Sequence, residues 1–141
     1  MTFSNQNLDL DLLPGGTQVA VRVSYTVTFS PDERQLVALG TRFREDIAVL
    51  ENDFGEIIVP PGGSAPAPDV LANFGARIIG VTAGNSNQVI NRPTRTIIVP
   101  RSALNEDPPG LDPDEIRCRI TIRPIDFPLP GTSFTDTETL P

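Results

Sequence analysis

The strongest constraint in this chain is a run in which Val19, Val21, Val23, Tyr25, Val27 and Phe29 alternate with Gln18, Ala20, Arg22, Ser24, Thr26 and Thr28. Successive side chains of an extended backbone point to opposite faces, so this period of two specifies a strand with one buried and one wetter face. The apolar set is mostly β-branched or aromatic, the types that pack best on a pleated surface. The pattern recurs late, where Ile116, Cys118, Ile120 and Ile122 alternate with Arg117, Arg119, Thr121 and Arg123.

Shorter signals lie between these two strands. Ser30, Pro31, Asp32 and Glu33 read as a helix start, with Ser30 as N-cap, Pro31 in the first turn and Glu33 placed to complete a capping box. Gly40 supplies a stop, so a short helix is expected near residues 31–39. Phe43, Ile47 and Val49 suggest the next strand, ended by a turn over residues 51–55. Further short strands are expected over residues 56–59, 77–81 and 94–99, with a polar turn over 84–87. Residues 60–69 (PPGGSAPAPD) read as a loop, because proline removes ladder donors, and the acidic, proline-rich residues 106–115 read as another.

A chain of 141 residues suits one domain. Its 15 prolines and 11 glycines favour many short elements over long helices. About seven strands with turn signals every ~8–12 residues predict an all-β antiparallel sandwich. Immunoglobulin-like topology is the first expectation and a jelly roll the second. The chain lacks the Cys…Trp…Cys spacing of true immunoglobulin domains, so no family function follows from that architecture. The expected organisation is a flexible arm or edge strand over residues 1–16, the sandwich over 17–126, and a flexible polar tail over 127–141.

What is missing narrows the chemistry. The chain has no His, no Trp and no Lys, so all eleven basic side chains are arginine. Histidine-dependent triads, histidine metal sites and lysine Schiff bases are therefore excluded. Cys118, the only cysteine, can form no internal disulfide and sits on an apolar strand face, where an inert buried thiol is expected. The carboxylate pairs Glu45-Asp46 and Glu51-x-Asp53 suit acid–base work on a glycoside. Glycan clefts usually need aromatic platforms, however, and the sole tyrosine, Tyr25, lies on a core face. Residues 61–64 (PGGS) lack the lysine and following helix of a phosphate loop. No enzymatic activity and no cofactor are expected.

Charge gives the remaining leads. A net charge of −7 opposes attraction to nucleic acid or anionic membrane. Residues 1–13 carry neither a positive leader nor an apolar run, so no signal peptide or membrane span is expected, and a cytoplasmic protein or part of an assembled particle is. Glu106, Asp107, Asp112, Asp114 and Glu115 bring hard oxygens together in a manner suited to calcium, although Pro108, Pro109 and Pro113 break the ligand spacing. A solvated acidic loop is the plainer reading there. Arg117, Arg119 and Arg123 share one strand face, and Arg22, or Arg42 and Arg44, would extend it into an arginine ladder if neighbouring strands carry them. Such a face is either solvated and balanced by cross-strand acids or a protein interface, since the planar guanidinium makes bidentate bonds and tolerates partial desolvation. These readings favour a structural or interaction protein with protein partners. The expected setting is a homo-oligomer or larger repeating assembly, such as a phage capsid decoration, cement or tail protein or an extracellular filament. The alternative is a calcium- or glycan-binding module.

Overall fold

The computed structural model describes residues 1–51, 70–104 and 116–126, and the backbone of 136–139. Its elements are β1 (Thr2–Leu12), β2 (Gln18–Phe29), α1 (Pro31–Ala38), β3 (Arg42–Glu51), β4 (Val70–Asn73), β5 (Arg77–Ile79), β6 (Gln88–Pro100), α2 (Arg101–Leu104), β7 (Ile116–Ile125) and β8 (Asp136–Thr139). They form two antiparallel sheets. Sheet A has the order β1-β2-β6, and sheet B the order β4-β3-β7-β8, with β5 also on β3.

The alternating sequence of β2 acts as expected. Val21, Val23, Val27 and Phe29 are almost completely buried, as are Phe43 and Val49 of β3 and Cys118, Ile120 and Ile122 of β7. These side chains from both sheets make one continuous core. Burying a side chain of this size contributes about 1.5–3 kcal/mol, so the three central strands dominate the stability. Phe29 and Phe43 meet across the core with ring centroids 4.9 Å apart in a tilted pair.

Helix α1 carries the chain from sheet A to sheet B, and both its ends follow from sequence. Ser30 Oγ accepts from the Glu33 amide at 3.2 Å, and Glu33 Oε1 accepts from the Ser30 amide at 3.0 Å, which closes the capping box. At the other end Gly40 has φ +99°, the Gly40 amide donates to Val37 and the Thr41 amide to Leu36, each at 3.0 Å. That pair of bonds is a Schellman stop, and its left-handed residue favours glycine.

Of the two forms expected for residues 1–16, an arm or an edge strand, the structure has a strand: residues 2–12 pair along β2 through a hairpin in which Gly15 and Gly16 adopt positive φ. Other elements depart from the sequence reading. Strand β6 begins at Gln88, well before the expected residue 94, and runs straight through Pro93. It tolerates that proline because, among the described residues, it is an edge strand of sheet A and its register on β2 shifts between Val23 and Tyr25, where a bulge absorbs the lost donor. Strand β4 was not expected, and the β5 strand ends at Ile79 rather than at residue 81. Within the expected polar tail, the backbone of β8 pairs with β7, Asp136 opposite Ile122 and Thr139 opposite Arg119. The anticipated strand at 56–59 and the loops at 60–69 and 106–115 lie outside the described residues.

Candidate functional site

Burying Phe43, Ile47 and Val49 on β3 forces Arg42, Arg44 and Asp46 to the outer surface of sheet B. Burying Cys118, Ile120 and Ile122 on β7 does the same for Arg117, Arg119, Thr121 and Arg123. The two strands are directly paired, with Arg44 opposite Arg123, Asp46 opposite Thr121, Ala48 opposite Arg119 and Leu50 opposite Arg117. Five arginines thus share one sheet surface. Arg22 is not among them: it lies on β2 in the other sheet, where its guanidinium is paired with Asp11 of β1.

Part of the charge on the surface is balanced locally. Arg42 Nε donates to Asp126 Oδ2 at 2.7 Å. Arg44 Nη2 donates to Asp46 Oδ1 at 3.0 Å, and Arg123 approaches the same carboxylate at 4.0 Å. Asp46 therefore lies between two like charges that face each other across the strands. Each of these exposed pairs contributes only about 0–1 kcal/mol, so they leave the arginines available for exchange onto another carboxylate. At the far end of the surface, burial and the charge of Arg119 hold the Arg117 guanidinium below its ordinary pKa.

The candidate calcium ligands Glu106, Asp107, Asp112, Asp114 and Glu115 lie outside the described residues. Among the described residues, no cluster of three or more His, Cys, Asp or Glu side chains could hold a metal ion. Likewise, no described helix is long and apolar enough to cross a membrane.

Between the sheets lies an ionic cluster that the sequence reading did not assemble. Glu45 of β3 is fully buried, and both its oxygens are engaged. Oε1 accepts from Arg95 Nη1 at 2.8 Å, while Oε2 accepts from Arg92 Nε at 2.9 Å and from the Tyr25 hydroxyl. Arg95 also donates to the carbonyls of Phe74 at 2.6 Å and Gly75 at 3.1 Å, and lies 5.6 Å from the centre of the Phe74 ring. Burial alone would raise the Glu45 pKa, but the hydrogen bonds from Tyr25 and Arg92 and the Arg92 charge outweigh it and hold the carboxyl below its ordinary value. Both Glu45 oxygens are buried and engaged, so the carboxylate bridges β3 to β2 and β6 across the interior.

One sequence signal pointed there. Glu45 occupies the core register of Phe43, Ile47 and Val49, where an acid is out of place unless paired. Its partners were hidden, because residues 92 and 95 fall on opposite faces of a regular strand. Only the bulge turns both inward.

A further arginine, Arg34 of α1, is held by the chain between β5 and β6. It donates from Nε to the Thr82 carbonyl and from Nη1 to the Ser86 carbonyl, each at 2.8 Å, and from Nη2 to the Ala83 carbonyl at 3.0 Å. The guanidinium occupies the space beside Gly84, where an added Cβ would overlap it. This clamp fixes the end of the sandwich and leaves Arg34 committed.

No protein-family model, no curated protein and no solved structure matches the chain.

Proposed function

We propose that this protein is a non-enzymatic structural subunit that docks an acidic protein surface through the outer face of sheet B. The reading rests on one observation, the collection of Arg42, Arg44, Arg117, Arg119 and Arg123 on a single sheet surface of a chain whose net charge is −7. Arginine at this density suits partially desolvated contact with carboxylates, and a small domain of opposed charge suits ordered packing beside other subunits. The setting that fits best is a larger repeating assembly, such as the decoration or tail of a phage capsid or an extracellular filament. The sandwich itself is read as immunoglobulin-like.

The test is the double variant Arg119→Glu with Arg123→Glu, followed by light scattering and native mass spectrometry. The variant is expected to fold normally, because both side chains lie on the outer surface, and to lose the higher-order assembly that runs through this face. Wild-type assembly would also weaken with added salt, since exposed charges are screened over ~10 Å at 0.1 M. Assembly unchanged by the double variant would overturn the proposal.

A further inference from the structure

Sheet A has two edges, and among the described residues neither β1 nor β6 has a partner on its outer side. Such rows of unpaired backbone groups are templates for another strand, and proteins commonly block them with charge, proline or bulges. The two edges differ in this respect. Asp9 and Asp11 alternate along β1, and the strand is broken by a register shift near Asn5, whose φ is 53°. Antiparallel pairing of β1 with its own copy about Leu10 would set Asp9 against Asp11 of the second molecule, like charges directly opposed.

On β6 the segment 94–99 presents no such obstacle. Its only charge is Arg95, which the register turns toward the core opposite Val23 and which is bound there by Glu45. The residues left facing outward, Thr96 opposite Arg22 and Ile98 opposite Ala20, are uncharged, and Ile98 is 57% exposed. Pro93 and Pro100 bracket the segment and limit where pairing can begin and end. The arginines of β6 that would ordinarily guard an edge have been drawn inside by Glu45.

We propose that residues 94–99 pair antiparallel with the same segment of a second copy, joining two three-stranded sheets into one of six. Keeping the two core faces on the same side requires an axis through a residue. An axis at Ile97 sets Ile98 opposite Thr96 of the second copy and Arg95 opposite its Val99, with no like charges in register. The contact is short, so the dimer is weak and forms at high concentration. It involves the sheet opposite the arginine face and stands independently of that face's role.

Sedimentation velocity on the full chain, from micromolar to millimolar, tests this. Wild type is expected to shift from monomer to dimer, and Ile98→Lys, which places a charge on each side of the axis, to weaken the dimer by at least about tenfold. Thr96→Lys repeats the test at a second exposed position. Val89→Lys, on the same strand but beyond Pro93, should leave dimerisation intact, as should Arg119→Glu. Circular dichroism establishes that each variant is folded. In wild type alone, amide exchange over 95–99 should slow as concentration rises. A wild type that stays monomeric throughout, a dimer indifferent to both lysines on 94–99, or equal loss on Val89→Lys would overturn the proposal.

Discussion

Glu45 is the residue on which the interior depends most. Removing one member of a buried ion pair leaves its partner charged without compensation, at a cost of about 3–5 kcal/mol. Glu45→Gln is therefore expected to lower unfolding free energy by that order in urea titrations. Its carboxyl is held below its ordinary value, so the stability it supplies is present above the ordinary carboxylate range and is lost as pH falls through the depressed value. Acid unfolding of Glu45→Gln should accordingly show a shallower dependence on pH than wild type. The opposite limb is shared by Tyr25, whose hydroxyl is pushed far up by burial and its bond to Glu45, and by Cys118, whose thiol is pushed by burial from 9.0 up to about 12. For the thiol, a raised value means that stability is full below pH 9.0 and falls as pH climbs toward about 12, because only the unfolded thiol ionises in that window. Melting temperature should decline above that pH, and Cys118→Ala should remove part of the decline. That Glu45 needed partners was legible from its place among Phe43, Ile47 and Val49. Which partners it found was not, because Arg92 and Arg95 are distant in sequence and reach it through a bulge that no local pattern announces.

Elements with a strict period or a complete cap were legible. Strands β2 and β7 each pack one full face, and α1 carries its start and stop signals within eleven residues, so local chemistry and tertiary structure agree there. Edge strands were harder to read. The first half of β1 is polar, β8 is four residues long, and β6 contains a proline, features that only an edge position reconciles with a sheet. The clamp between α1 and the chain before β6 was also invisible, because it depends on a single guanidinium finding three carbonyls remote in sequence. Gly84→Ala is expected to destabilise by only about 1 kcal/mol or less in thermal or chemical unfolding, because the added methyl meets the exposed end of Arg34, which can swing away at the cost of hydrogen bonds that water replaces. Arg34→Ala combined with Gly84→Ala should give less than the sum of the two, because the overlap disappears with the guanidinium.

For the molecule as a whole, the arginines scattered along the sequence became directional once the strands were assigned to sheets. The arginines of β7 were readable as one face, and Arg42 and Arg44 join them because β3 is the neighbour of β7. Arg22 could be placed only with the topology in hand, since α1 crosses between the sheets and leaves β2 in the other layer. If both proposals hold, the arginine face of sheet B and the β6 edge of sheet A would give the chain contacts pointing in different directions, as subunits of an extended lattice need.

The Glu45 cluster has a mechanical consequence as well. It joins β3 of one layer to β2 and β6 of the other, amid a core that is otherwise largely valine, isoleucine and phenylalanine. Apolar contacts are non-directional, so a valine displaced along the strand by two residues, about 7 Å, can still find an apolar neighbour, at the cost of lost interdigitation. Glu45 has no such second position. The same displacement would strip it of all three donors at once, so this acid adds a directional lock to the packing that holds the two layers in place. Under a shearing load it should yield abruptly rather than creep.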